Sequence, residues 1–335
     1  MVIRIESLTV ENLRCFRGEH RLDLDRSDEP SIDVVLGSNG LGKTTLADSI
    51  HLCLTGEFDD EAPLVTYELV DELSPGEEIS AKVSTVIADS EISRRFRFTR
   101  KFQTSETRRG PVNSVDSLQV KEEQNGEWVS TSSSEAINTM FPLPAFTFSK
   151  LDAESSVGID DPWGGTSWSE LVEAVGEAAA RQSAARGTDL PEYFANDYDL
   201  GDEMISRIND LLPELDQRDL YHVEERQDGL VARRKENGSP KEMAALSAGG
   251  QMIISNAAAL VAGEVMPAIP PLIGDTMFGR VDHATRERMF EAINQADRQV
   301  LLFCTNAELD GFDLSPMFKL KQREKGRESK IVAAD

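Results

Sequence analysis

The amino-terminal third of the chain alternates between apolar and polar residues, a pattern that is typical of half-buried β-strands. Strands are predicted at residues 3–10, 20–24 and 32–36, and a helix with apolar residues on most sides is predicted at 44–55. From residue 64 to residue 129 the alternation continues in short segments. We therefore predict an antiparallel β layer inserted after the first helix.

Within that layer, the two faces of a predicted strand differ sharply in character. Its apolar face carries three aromatic residues, Phe96, Phe98 and Phe102. The opposite face carries three cations, Arg95, Arg97 and Lys101. A solvated outer face is one interpretation of these cations, and contact with the phosphate backbone of DNA is the other.

The second half of the chain changes to helical periodicity. Apolar residues share a helix face from Trp168 to Ala179 and again from Met204 to Leu215, each over about two to three heptads. Stretches of this length are too short for a long coiled coil and predict a helical hairpin. Turn signals at Asn125-Gly126 and Asp228-Gly229 predict two β-hairpins. Further on we predict an apolar helix ending near 265, a helix at 284–296, a strand at 299–305 and two weak strands within 318–332.

A Gly-rich loop joins the third predicted strand to the first helix. Gly37, Gly42, Lys43 and Thr44 fill the spacing G-x-x-x-x-G-K-[ST] of a phosphate-binding loop. Glycines let successive N–H groups surround a phosphate, and the helix directs its positive end at the same anion. Lys43 would reach the β- and γ-phosphates and Thr44 would hold Mg²⁺. The remaining predicted nucleotide contacts of the loop are Ser38, Asn39, Gly40 and Thr45. An ordinary strand–helix turn is the alternative.

Length and cysteine content narrow the class of protein. The chain has 335 residues, enough for one large domain or two lobes, and contains no run of 18 apolar residues that would span a membrane. Its three cysteines, Cys15, Cys53 and Cys304, are far apart and lack metal-binding spacing. They indicate reduced thiols and a cytoplasmic protein. The four histidines show no ligand spacing either, so no metal beyond Mg²⁺ is expected.

The charge balance is strongly acidic, with 60 Asp and Glu against 35 Lys and Arg and a net charge of −25. Such a balance normally argues against a nucleic acid partner. Acidic residues spread along the whole chain also suit a protein that stays soluble in concentrated salt. We therefore expect a halophilic source.

Three later motifs follow the phosphate loop in a characteristic order. They are LSAGGQ at 246–251, the apolar strand PPLIGD ending at Asp275, and the strand QVLLFCT followed by Asn306. With the phosphate loop they resemble the head of an ABC-type ATPase. The amino-terminal segment IRIESLTVENLRCFRG is similar to the opening of the SMC, RecF and RecN group of DNA-repair and chromosome ATPases. The resemblance covers residues 1–54 and 244–309.

LSAGGQ would form an anion site even without the resemblance. Ser247 can cap a helix, and Gly249 and Gly250 leave the first amides of that helix bare. A capped helix with no ligand is the alternative. The resemblance implies that this site, including Gln251, closes on the γ-phosphate of a nucleotide held by a second protomer. It also implies that Asp282 lies at the dimer seam.

The predicted Walker B strand departs from the ABC pattern. Asp275 would hold Mg²⁺, but Thr276 stands where ABC enzymes usually have a catalytic Glu, and Thr is a poor general base. The run Asp-Thr followed by Phe278-Gly279-Arg280-Val281-Asp282 is similar to the DndD ATPases of DNA phosphorothioation systems. So is CTNAEL, in which Thr305 replaces the switch His. Met277, where that family usually has Pro, and the missing coiled-coil arms are departures.

Two further nucleotide contacts are implied by the resemblance. Arg14 and Arg17 lie in the predicted turn beside the phosphate loop, where family members contact nucleotide; solvated arginines are the alternative. The γ-phosphate-sensing Q-loop is expected near 146–154, which contains no Gln. Its polar candidates are Lys150, Asp152 and Glu154, and a simple surface loop is the other interpretation.

These observations combine into one prediction. We expect an α/β P-loop NTPase of the ABC/SMC head type with an antiparallel β layer and a short helical hairpin. The predicted divisions are an N-terminal ATPase lobe (1–150), a linker with the hairpin (151–218) and a C-terminal lobe (219–335). Binding of ATP and Mg²⁺ would drive homodimerisation, and the protein would hydrolyse ATP and act on DNA in repair, modification or phage defence. A nuclease or DNA-modification subunit would be its partner. The alternative is a hydrolysis-poor, ATP-gated clamp or scaffold that regulates a partner enzyme.

Overall fold

The computed structural model describes residues 3–24, 31–56, 64–74, 76–89, 91–107, 110–132, 150–152, 168–216, 221–226, 229–234, 240–323 and 328–334. The chain divides into two compact units. The P-loop unit comprises Ile3–Asp28, Asp33–Ile137 and Phe303–Asp335. The signature unit comprises Met1–Val2, Glu29–Ile32 and Asn138–Leu302. The predicted lobe boundaries stay a prediction.

The P-loop unit is built on a seven-stranded antiparallel sheet. Its strands run in the order β2-β1-β4-β5-β7-β8, and β6 also pairs with β5. Their bounds are β1 Ile3–Leu13, β2 Phe16–Asp23, β4 Glu78–Asp89, β5 Arg94–Thr107, β6 Gly110–Val115, β7 Gln119–Gln124 and β8 Glu127–Thr131. Phe96, Phe98 and Phe102 are fully buried on the inner face of this sheet. The predicted β layer is therefore confirmed.

Two details of the layer differ from the sequence prediction. Strands β4 and β5 are 12 and 14 residues long, so they are not the short segments expected. A helix, α2 (Tyr67–Asp71), lies inside the region predicted as strands. Its five residues are too few to show a helical period beside the strong alternation that follows. The Asn125-Gly126 turn is confirmed, because both residues have positive φ, 54° and 84°, as a tight hairpin turn requires.

The rest of the P-loop unit carries the phosphate loop. Strand β3 (Ile32–Leu36) lies parallel to β15 (Phe318–Gln322), which pairs antiparallel with β16 (Ser329–Ala333). Helix α1 (Lys43–Thr55) begins directly after the loop and packs on β4 and β5. Its buried residues lie on most sides of the helix, as the sequence predicts.

The signature unit contains the helical hairpin and the later motifs. Helices α3 (Trp168–Arg186) and α4 (Asp197–Leu215) have 19 residues each and pack on each other, which confirms the hairpin. The parallel pair β9 (Lys150–Asp152) and β13 (Leu272–Asp275) leads to the Walker B position. The other elements are β10 Tyr221–Arg226, β11 Gly229–Arg234, β12 Pro240–Glu242, α5 Ala248–Glu264 and α6 His283–Gln295.

Strand β14 (Val300–Cys304) runs from the signature unit into the P-loop unit, where helix α7 (Asn306–Leu309) follows it. None of the described helices is long and apolar enough to cross a membrane.

Helix α5 passes very close to a buried arginine. Arg298 is 1% exposed, and its guanidinium donates to the Ala259 and Leu260 carbonyls of α5, at 3.4 and 3.1 Å. A Cβ added at Gly263 would lie 1.5 Å from Arg298 Nη2. A glycine is therefore needed at position 263, because any side chain there would overlap the Arg298 guanidinium.

We predict that Gly263→Ala destabilises the protein, although Ala is favoured over Gly in a helix by about 1 kcal/mol. Gly176→Ala in α3 is the matched control, because its Cβ would make ordinary contacts at 3.5 Å or more. Urea denaturation followed by circular dichroism should show a lower midpoint for the first variant and an unchanged or higher one for the second. Equal midpoints would contradict the crowding at Gly263.

Candidate nucleotide-binding site

The phosphate loop begins where β3 ends and is anchored by main-chain contacts. The Gly37 N–H donates to the Cys304 carbonyl at 3.0 Å. Gly42, the residue before α1, has φ 92°. A Cβ there would also lie 2.4 Å from Cys15 Sγ and 2.8 Å from the Phe16 ring. Gly42 is thus required for its left-handed backbone and for its packing against the β1–β2 turn.

The loop combines an exposed outer surface with one buried cation, Lys43. Lys43 is 6% exposed, and its ammonium lies 3.4 Å from both the Ser38 carbonyl and Asn39 Oδ1. Ser38, Asn39 and Gly40 are exposed, and so is Thr44. A triphosphate arriving at this surface would meet backbone N–H groups, the Lys43 charge and the positive end of α1.

Arg14 and Cys15 hold the β1–β2 turn against α1. Arg14 has φ 47°, and its Nη1 lies 3.3 Å from Asp48 Oδ2 on α1. Burial raises the pKa of the Cys15 thiol, and contacts with Ser329 and Thr45 only partly oppose that rise. Arg17 lies 3.4 Å from Glu328 and 3.6 Å from Glu72. The arginines of the turn are thus engaged by carboxylates, and their contact with nucleotide stays a prediction.

The carboxyl end of α1 is held by Arg100 of β5. Arg100 Nε donates to the Cys53 carbonyl and Nη2 to the Leu54 carbonyl, each at 3.0 Å. The helix then ends at Gly56, with φ 79°, and a Cβ there would lie 2.7 Å from Arg100 Nη1. Sequence reasoning missed Arg100, because it lies among other arginines of β5 and no motif marks it.

In the signature unit, LSAGGQ forms the start of helix α5. Ser247 is the N-cap, and its Oγ accepts from the Gly250 N–H at 3.2 Å, as the sequence predicts. Space at Gly250 is taken by the Tyr221 hydroxyl, 2.5 Å from where a Cβ would lie. A Cβ added at Gly249 would similarly lie 3.1 Å from the Arg280 carbonyl oxygen. Gln251 is 5% exposed and donates to the Met243 carbonyl at 3.0 Å, so its amide supports the loop from inside.

The Walker B position combines a buried carboxylate with an unusual backbone. Asp275 is 1% exposed at the end of β13. Thr276 has φ 54°, which is rare for a β-branched residue, and its hydroxyl lies 3.2 Å from Asp275 Oδ1. The hydroxyl can therefore orient the carboxylate. It does not replace the missing Glu, because an alcohol at neutral pH is a poor base.

Two predicted contacts serve as helix caps in this structure. Asp282 caps α6, with its Oδ1 accepting from the Thr285 N–H at 2.9 Å. Thr305 caps α7, and both its N–H and its hydroxyl donate to Glu308 Oε2 at 2.9 Å. Glu308 is 3% exposed. Their predicted roles at a dimer seam and at the γ-phosphate stay predictions.

The three cations of the predicted stripe, Arg95, Arg97 and Lys101, have different surroundings. Arg95 Nε donates to Glu6 at 3.0 Å, and the same guanidinium contacts Glu123. Arg97 instead lies over the Trp128 ring, with Cζ 4.2 Å from the ring centroid. Burial lowers the pKa of Arg97, and the nearby charges of Arg21 and Arg95 add to that effect. Lys101 is exposed.

The predicted Q-loop falls almost entirely outside the described residues. Only strand β9, Lys150–Asp152, is described there, and Glu154 is not. Within the two units, the phosphate loop with Arg14 and Thr305 belongs to the P-loop unit. Ser247, Asp275 and Asp282 belong to the signature unit.

Comparisons with known proteins agree with this arrangement. A family model of the AAA domain matches residues 7–163, and no curated protein matches the chain. The chain is similar to a solved SmcHead bound to the C-winged helix domain of ScpA, with 13% identity and a TM-score of 0.59 over 98% of this chain and 97% of that one. The chain is also similar to an Smc head domain with an extended coiled coil, bound to the C-terminal domain of ScpA derived from Pyrococcus furiosus. The identity is 13% and the TM-score is 0.57, over 99% of this chain and 96% of that one.

A third similar structure, the SMC head domain from Thermotoga maritima, has 15% identity and a TM-score of 0.48 over 99% of both chains. At these identities the likeness of the two higher-scoring structures establishes the fold and nothing further. The chain has a mixed α/β P-loop NTPase fold of the SMC-head kind, with an antiparallel sheet and parallel strand pairs. With its phosphate loop, it carries an ATP-binding domain of ATPase type.

We predict that Arg100→Ala lowers the free energy of unfolding by about 2 kcal/mol, because it leaves two helix-end carbonyls without their charged donor. Arg100→Lys should restore part of the loss. Lys101→Ala, on the exposed face of the same strand, should stay within about 0.5 kcal/mol of the parent. Urea denaturation measures all three, and an Arg100→Ala variant as stable as Lys101→Ala would refute the anchoring role.

Proposed function

We propose that this chain is an ATPase head of the SMC/RecF kind that dimerises when it binds ATP and acts on DNA as the dimer. The observation that supports the proposal is that the chain carries two helix amino ends with the motifs expected of two complementary anion sites. The phosphate loop leads into the amino end of α1 with Lys43 as its first residue, and the exposed Ser247 caps the amino end of α5. In a dimer, ATP on the first site would be closed by the second site of another copy.

Magnesium would assist at the phosphate loop. Thr44 offers an exposed hydroxyl and Asp275 a carboxylate at a strand end. Each supplies oxygen, the donor that Mg²⁺ prefers. Bound Mg²⁺ would neutralise charge that develops on the phosphates.

The identity of Thr276 supports a second candidate, an ATP-gated clamp or scaffold that hardly turns over. Its hydroxyl is directed at Asp275, and it stands where related ATPases carry the catalytic Glu. In this candidate, ATP closes the dimer by preferring the closed form, and release reopens it. The partner would be an enzyme whose activity depends on closure.

The pathway rests on sequence resemblance. The Asp275-Thr276 pair and the Gly279-Arg280-x-Asp282 run favour a DndD-like role in DNA modification, phage defence or repair. The two similar SMC heads were solved with a domain of ScpA, which supports a partner protein here too. We propose a nuclease or a DNA-modification subunit. The net charge of −25 supports a halophilic source, so the assays belong in molar KCl.

We predict that Lys43→Ala weakens ATP binding roughly 10- to 100-fold, since hydrogen bonds to charged groups contribute about 1.5–3 kcal/mol each. Lys330→Ala, an exposed lysine of β16, is the matched control and should bind ATP like the parent. The measurements are ATP affinity, hydrolysis rate and dimerisation by light scattering, with and without DNA.

The same measurements separate the two candidates. Hydrolysis by the parent that Lys43→Ala abolishes supports the ATPase. Dimerisation by ATP without turnover, with turnover created by Thr276→Glu, supports the clamp. A parent that neither binds ATP nor dimerises in any salt concentration would overturn both. Full stability and activity in dilute buffer would count against the halophilic source alone.

A further inference from the structure

The outer face of the antiparallel sheet places cations directly opposite one another. Arg97 of β5 pairs in register with Lys121 of β7, and Lys101 pairs with Lys82 of β4. Like charges at directly opposed positions destabilise a sheet. The chain carries 60 acidic residues against 35 basic ones, so a charged residue at a surface position is more often acidic than basic. This arrangement therefore indicates an anionic ligand.

The charges of this face are not equally compensated. Arg95 contacts Glu6 and Glu123, and Lys82 lies 2.9 Å from Glu11. In the described part of the chain, Arg97, Lys101 and Lys121 form no ion pair with a carboxylate. Lys101 and Lys121 are exposed. Positive charge consequently remains at these three positions.

An aromatic ring lies beside the uncompensated charges. Trp128 of the edge strand β8 pairs in register with Glu123, which lies two residues from Lys121, so Trp128 shares this outer face. Its side chain is partly exposed. The Arg97 guanidinium lies over the ring at 4.2 Å, and Arg95 lies at 5.8 Å. Cation–π contact holds Arg97 against one face of the Trp128 ring, and both side chains are partly exposed.

An aromatic ring on the same face as several cations suits a nucleic acid strand with unpaired bases, because the ring can stack with a base and the cations can contact phosphates. Single-stranded nucleic acid binds by stacking bases on aromatic rings or guanidinium planes while a basic groove follows the backbone. The bases of a duplex are already stacked on each other and offer only phosphates to such a surface. The ring therefore distinguishes the two forms of DNA.

We propose that Trp128, Arg97, Lys101 and Lys121, here called the Trp128 platform, bind single-stranded DNA. One base stacks on Trp128 and Arg97, and phosphates contact Lys101 and Lys121. The proposal rests on the DNA role given under Proposed function and specifies the strand state of that DNA.

The test compares fluorescein-labelled dT20 with a duplex of equal length by anisotropy. The parent should bind dT20 more tightly than the duplex. Trp128→Ala should weaken dT20 binding about tenfold, and Trp128→Phe should remain within about threefold, because stacking of one base is lost or kept. The matched control is Tyr193→Ala, whose ring contacts Arg207 in the signature unit and should not affect binding.

A second variant tests the charges separately. Lys101→Ala with Lys121→Ala should reduce the salt slope for dT20 by about 1.4, since each phosphate contact on a single strand contributes about 0.7. Circular dichroism melting confirms that each variant is folded. An unchanged dT20 affinity in folded Trp128→Ala, or tighter binding of duplex than of dT20 by the parent, would overturn the platform.

Dimerisation by ATP is measured on the same preparations. A parent that dimerises with ATP but does not bind dT20 removes the platform and leaves the nucleotide-driven dimer intact. A parent that binds dT20 through Trp128 but does not respond to ATP removes the dimer and leaves the platform. The two failures are thus distinguishable.

Discussion

The conformation of the phosphate loop depends on how helix α1 is held at its two ends. At the amino end, Gly42 packs against Cys15 and Phe16 so closely that no side chain fits. At the carboxyl end, Arg100 satisfies two of the last carbonyls, which a helix cannot satisfy by itself. The antiparallel sheet supplies both contacts, through the β1–β2 turn and through β5. The antiparallel sheet therefore supports the predicted nucleotide site at both ends of α1.

The local parts of this site were predictable because their causes are local. The spacing of Gly37, Gly42 and Lys43 identified the loop, and Ser247 followed by two glycines identified a capped helix, which the structure confirms. Arg100 was not predictable, because its contacts lie 46 and 47 residues away and any of several arginines on β5 has the same sequence signature. The crowding of Gly263 by Arg298 has the same origin: only the packed structure brings these residues together.

Thr276 combines an uncommon backbone conformation with a hydrogen bond to the neighbouring carboxylate. Its left-handed backbone costs of order 1–3 kcal/mol for a side chain of this shape, so the surrounding structure must impose it. The next residue, Met277, is fully buried, and its sulfur lies 2.4 Å from where a Cβ would stand at Gly274, so Gly274 is needed for this packing. The Thr276 hydroxyl can thus orient the Asp275 carboxylate, 3.2 Å away. An alcohol is a poor base at neutral pH, so Thr276 itself would not activate water in the proposed site.

Strand β5 connects the inner and outer surfaces of the sheet because its side chains alternate. Arg100 points inward to α1, while Arg97 and Lys101 lie on the outer face beside Trp128. Arg100 therefore contacts the carboxyl end of α1 from the same strand that carries two residues of the Trp128 platform. Since coupling between sites is reciprocal, any effect of DNA on ATP affinity must be equalled by the effect of ATP on DNA affinity.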